Sequence, residues 1–159
     1  MKKLLFCVLI VFSLCFSLDG ENEYYGECGR TVFDRIITLS AAKHTFKTIT
    51  IDWSDFIGSR NLSPDNYILA GKIYVFSSGA MTRGITCMLL TPEQYEVYLS
   101  GEEVKSPLFK ATKQHDISIR TLELNLGQKY YLILDNSHTK MTDKNVLLYL
   151  LALPKWHGG

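Results

Sequence analysis

Gly127-Gln128-Lys129-Tyr130-Tyr131-Leu132-Ile133-Leu134-Asp135-Asn136-Ser137 reads as a turn, a run of large apolar side chains on both parities, and a polar exit. A strand alternates its side chains between two faces, so apolar residues on both parities mean burial on both faces. Such a strand belongs in the middle of a sheet that is covered by another layer, and the rest of the chain should supply that layer.

The neighbouring segments do so. Upstream, Asp116 to Asn125 is strand-like but slips phase: Ile117 and Ile119 share one parity, and Leu122, Leu124 and Leu126 share the other. A β-bulge or bend near Arg120-Thr121, or a strand passing between sheets, accommodates the slip. Downstream, Ser137 to Asn145 is a polar loop and Val146 to Leu153 is a last strand, ended by Pro154. Nearer the N-terminus, Val32 to Leu39 and His44 to Trp53 read as strands, the latter with a period of two from Ile49 to Trp53. Ser54 to Tyr67 is rich in turn residues; it either crosses between sheets or carries a binding loop. Ile68 to Ser77 and Ile85 to Leu90 are further buried strands. Thr91-Pro92-Glu93-Gln94 has the form of a helix start, with Thr91 as N-cap and Pro92 at the first position, and Gly101 stops the helix after about two turns. Lys105 to Lys113 is ambiguous, and Pro107 argues against a central strand there. The pattern predicts an all-β fold: a two-layer antiparallel, jelly-roll-like sandwich of about eight strands with one short rim helix.

Met1-Lys2-Lys3 is basic, Leu4 to Leu14 is almost unbroken apolar sequence, and Cys15-Phe16-Ser17 follows. This is the form of a secretory signal peptide over residues 1–17. An uncleaved anchor is the alternative, but the run is short of the ~20 residues a span requires. Acylation at Cys15 is disfavoured by the bulky Leu14 before it. The division is then 1–17 signal peptide, 18–31 flexible lead-in, 32–154 sandwich and 155–159 tail. Export places the protein at the cell surface, in the periplasm or outside the cell, with no membrane span once the signal is removed. In an oxidising compartment Cys28 and Cys87 can form a disulfide; the alternative is a buried Cys87 and a free Cys28.

A net charge of +1, with both signs dispersed, gives no footprint for nucleic acid or an anionic membrane. No Gly-x-Ser-x-Gly elbow is present. Asp135, Ser137 and His138 are close in sequence, but neighbours at a strand end form a solvated turn more readily than a triad. His44, His115, His138 and His157 are isolated, against the clustered ligands zinc needs. Glu102-Glu103 cannot flank a sugar bond from opposite faces. Asp135 and Asn136, with Asp143 and Asn145 across the loop, are weak calcium candidates, and ordinary turn chemistry explains them equally well. No cofactor is expected. The aromatics remain: Trp53, Tyr67, Tyr95, Tyr98, Tyr131 and Trp156 join apolar area to a polar tip, as suits a carbohydrate or protein contact, or else they pack in the core and rim.

Strand Ile85 to Thr91, the Tyr-containing helix ending at Gly101, and Leu122 to Asn136 with its Gly-Gln-Lys-Tyr-Tyr-Leu-Ile-Leu-Asp-Asn run together resemble two related sandwich modules. These are the GOLD domain of secretory-pathway proteins and the pre-peptidase C-terminal-like domain of secreted prokaryotic proteins. The likeness covers Ile68 to Leu153, about half the chain. It implies a jelly-roll-like interaction or accessory module, here without a catalytic domain beside it. The expected function is therefore an exported non-enzymatic module that binds a protein or glycan, or alternatively a structural or assembly subunit of a larger complex.

Overall fold

The computed structural model describes residues 29–56, 66–76, 84–139 and 141–155, apart from the side chains of Trp53 and Ser54. Eight strands run in order: β1 (Arg30–Leu39), β2 (His44–Thr50), β3 (Asn66–Phe76), β4 (Ile85–Leu90), β5 (Phe109–Gln114), β6 (Asp116–Asn125), β7 (Lys129–Asp135) and β8 (Lys144–Lys155). They form two antiparallel four-stranded sheets, ordered β1-β8-β3-β6 and β2-β7-β4-β5. Every link except β4 to β5 passes from one sheet to the other, which is the wiring of a jelly roll. β2 and β3 lie in different sheets, so the Ser54–Tyr67 segment between them is a crossing; residues 57–65 lie outside the described part.

The opening stretch supplies β7, which sits between β2 and β4 in the second sheet. Tyr130, Leu132 and Leu134 point into the sandwich, and Ile133 is fully buried on the other face. The turn before β7 follows from its residues. Gly127 takes φ 70°, its N–H donates to the Ile51 carbonyl, and the Tyr130 hydroxyl accepts from Asn125 N at 2.9 Å. The phase slip in β6 is a bulge: Leu69 faces Leu122 while Gly71 faces Ile119, so β6 carries one extra residue at Arg120-Thr121. β8 runs through Pro154 to Lys155 rather than ending before the proline. Pro154 is tolerated because the pairing with β1 ends at Arg30 opposite Ala152, so no described strand is paired with β8 on that side where it reaches the proline.

The helix α1 (Pro92–Leu99) lies over the outer face of the second sheet and builds a small second core there, with Tyr95 against Met88, Leu90 and Ile133. Its start is a capping box: Gln94 N donates to Thr91 Oγ1 at 3.3 Å, and Thr91 N donates to Gln94 Oε1 at 3.1 Å. Thr91→Ala is expected to cost about 1 kcal/mol, read as a shift in the denaturant midpoint with unchanged slope.

The four edge strands are each interrupted or charged. Arg35 on β1 faces core residue Leu148, and Lys47 on β2 faces core residue Leu132, so both cations lie on the inward parity of an edge. On β5 the pairing with β4 breaks between Ile85 and Cys87 beside Lys113, which has φ 55°; β6 carries the Arg120-Thr121 bulge. Charges and bulges of this kind discourage another strand from adding to the sheet.

One sequence expectation is corrected here. Cys87 is a free thiol among the described residues, 0 % exposed on the core face of β4, where it packs as a small hydrophobe; the expected Cys28–Cys87 bridge involves a residue outside the described part. Cys28 lies outside the described residues, as does the signal segment. Tyr67, expected as a ligand-contacting aromatic, is also 0 % exposed, because β3 points it inward opposite Leu124.

Candidate functional site

On the outer face of the second sheet, α1 covers β4 and part of β7 but leaves the β2 edge open. Pairing places His44 opposite Asp135, Phe46 opposite Ile133 and Thr48 opposite Tyr131, all on this outer face. Where the open and covered halves meet, the rings converge. Tyr95 and Tyr131 stack at 3.9 Å with planes 9° apart; Phe46 tilts against both, at 5.2 and 6.0 Å. Tyr98 lies 6.5 Å from Tyr95 and meets the His44 ring edge-on at 5.5 Å. The Lys129 ammonium stands 5.1 Å from the Tyr131 ring centroid, within cation–π range. Phe46 remains 46 % exposed, so the cluster presents an apolar knob rimmed by His44, Lys129 and Tyr98.

Beside it lies a shallow polar depression of about 220 Å³, lined by Thr38, Leu39, Ser40, Lys43, His44 and Thr45. Burial, with some help from Asp135 and Tyr95, raises the Tyr98 phenol above its ordinary value; burial and the Tyr131 neighbour do the same for Tyr95. Both hydroxyls therefore stay protonated at neutral pH and can donate hydrogen bonds.

The sequence-derived residues distribute as follows. Tyr95, Tyr98 and Tyr131 belong to the cluster. Tyr67 is in the core, and its hydroxyl has no hydrogen-bond partner among the described residues; burial, then Tyr130, raises its pKa. The side chain of Trp53, in a 3-10 turn at Trp53–Phe56, and all of Trp156 and His157 lie outside the described residues.

The calcium candidates are used as loop braces instead. Asn136 is 0 % exposed and its amide donates to the Ser40 and Thr142 carbonyls at 3.2 and 3.0 Å; Asp143 Oδ1 accepts from Ala41 N at 2.7 Å. Asp135 Oδ1 accepts from Ser137 N at 2.7 Å, the local turn anticipated for it. No group of three or more His, Cys, Asp or Glu side chains converges as a metal site among the described residues. His138 does not turn toward Asp135 and Ser137 either: its Nε2 lies 2.8 Å from the Gly84 carbonyl.

No family model and no curated protein sequence matches the chain.

Three contributors were missed from sequence: His44, Phe46 and Lys129. A signal for Phe46 was present, since it lies on the opposite parity to the core residues Ile49 and Ile51 and so must point away from the sandwich. Lys144 was also missed. It is 1 % exposed on the inward face of β8, donating to the Gly84 carbonyl at 2.8 Å and Thr139 Oγ1 at 3.1 Å, and burial lowers its pKa. It ties the β7–β8 loop to the start of β4. Nothing in its alternating run distinguishes it from a solvated strand end.

Proposed function

We propose that the chain is an exported, non-enzymatic sandwich module that binds a protein partner through the face centred on Phe46. The observation that carries this reading is the half-exposed Phe46 ring set in a cluster of aromatic side chains with a cationic and hydroxylated rim. Aromatic anchors inside such a rim are the usual energetic centre of protein interfaces. A glycan is the other ligand class considered. It is less well served, because a sugar platform needs free ring faces, and Tyr131 has Tyr95 stacked on it and Lys129 over the ring. The N-terminal segment supports export, and the likeness to GOLD and pre-peptidase C-terminal-like modules supports an accessory rather than a catalytic role.

The experiment is affinity capture on the immobilised chain in parallel with a glycan array. Retention of a protein partner that weakens by about 30-fold or more in Phe46→Ala, with unfolding unchanged, is expected for a central anchor. Leu99→Ala, at an exposed position outside the ring cluster, should bind as the parent does. A capture and an array that both stay empty would sink the proposal.

A further inference from the structure

The first sheet turns its outer face to solvent on the opposite side of the molecule, and that face has a symmetry of its own. The register across β1, β8 and β3 sets Ile36, Leu147 and Tyr74 in one row, and Asp34, Tyr149 and Lys72 in the next. Ile36 is 64 % exposed and Tyr74 44 %, an unusual display of large apolar groups on strands that alternate cleanly elsewhere. Asp34 and Lys72 stand two strand spacings apart, about 10 Å, and neither forms an ion pair with the other or with a third described residue.

We infer that this face docks a second copy of the chain, face to face, about a two-fold axis running along β8. Rotation about that axis keeps each row in place and exchanges its two ends. Leu147 then lies over Leu147 of the second copy, Ile36 over its Tyr74, and Asp34 over its Lys72. The apolar row is matched to itself, and the Asp34–Lys72 pairing forms twice, once on each side of the axis. A self-complementary patch of this kind is what a two-fold dimer requires, and stacked sheets in this orientation pack with strands close to parallel. The charge pattern selects a second copy over an unrelated partner, because opposite charges placed on either side of one central strand are complementary to the same pattern turned over. The inward cations and bulges on the edge strands direct association to this face and away from sheet extension. This inference concerns the side of the molecule away from Phe46 and does not depend on the reading of that site.

The test is the mass of the purified chain by sedimentation equilibrium over a wide concentration range. A reversible monomer–dimer equilibrium is expected. Ile36→Asp, Asp34→Lys and Lys72→Asp should each weaken the dimer by about tenfold or more, because each puts a charge against an apolar group or against a like charge. The double variant Asp34→Lys/Lys72→Asp restores the pairing in reverse and should return the dimer to within a few-fold of the parent. All these positions are exposed, and matching circular dichroism spectra and melting curves confirm that the variants fold. A chain monomeric at every concentration overturns the proposal and leaves the face to a different partner. A dimer indifferent to Ile36→Asp also overturns it, as does a double variant no tighter than the single ones.

Discussion

Gly71→Ala is expected to destabilise the protein by about 3–5 kcal/mol, a large part of the ~5–15 kcal/mol that holds a domain of this size together. Gly71 lies in the middle of β3 with φ 146°, outside the range side chains tolerate, and it sits where the pairing with β6 shifts register. Space is the second obstacle. A Cβ there would collide with the Tyr149 carbonyl oxygen and stand 2.9 Å from Leu150 Cα, both backbone atoms of the central strand β8. Backbone cannot swing aside as a side-chain end can, so the substitution either parts β3 from β8 or twists both strands. Denaturant unfolding should give a much lower midpoint with an unchanged slope. Gly101→Ala is the control: φ is also positive, at 80°, but nothing lies within 4 Å, so only the conformational cost of about 1 kcal/mol remains. Equal losses at the two sites would show that the contact with β8 does not matter.

Cys87 is expected to resist thiol reagents in the folded protein at about pH 8 and to react at once when the chain is denatured without reductant. Burial alone pushes its pKa up from 9.0 to about 12, so the thiolate that would react is scarcely formed in the native state. The same burial makes stability depend on pH. Below about pH 9 the thiol is protonated in both states and its contribution is complete. Between pH 9 and about pH 12 the unfolded chain has lost a proton that the folded one retains, so stability falls as pH rises, by about 4 kcal/mol over the whole interval at ~1.4 kcal/mol per pH unit. Tyr67, whose pKa is also raised, acts in the same direction. Lys144, with its pKa lowered by burial, acts in the opposite one, since between its native pKa and 10.5 the unfolded chain holds the extra proton. Cys87→Ala isolates the thiol: its unfolding free energy should fall less steeply than the parent's above pH 9. If the denatured, unreduced protein shows no reactive Cys87, the thiol is bridged after all.

The fold was legible in the sequence because its signals are local. The double-sided burial of Tyr130 to Leu134 marked a central strand, the parity change across Arg120-Thr121 marked a bulge, a bend or a change of sheet, and Thr91-Pro92 with Gln94 marked the helix start; the central strand, the bulge and the helix start are seen. The site was legible only in part. Tyr95, Tyr98 and Tyr131 were named as aromatics, but Tyr67 was named with them although its side chain is sealed in the core. Tyr67 was read as the end of the Ser54–Tyr67 loop, whereas β3 already begins at Asn66 and takes the ring inward. His44 and Lys129 joined the site for a different reason: β2 and β7 are far apart in sequence and meet only as neighbours in the second sheet. The polar residues after β7 were read as turn residues or weak calcium candidates; that Asn136 and Asp143 serve backbone groups in the β1–β2 turn could not be read from any local pattern.

The place of β8 has a consequence for the order of events during synthesis. Lying between β1 and β3, it pairs Arg30 with Ala152 and Tyr67 with Pro154. Among the described residues β1 has no other strand beside it in its sheet, so it waits for β8. Contacts this distant in sequence make closure slow, because the chain must surrender the entropy of a very large loop before it gains the pairing. While β8 is still being made, the edges of β1 and β3 that it will pair have no strand between them. Cooperative folding of the first sheet is therefore expected only once β8 is available.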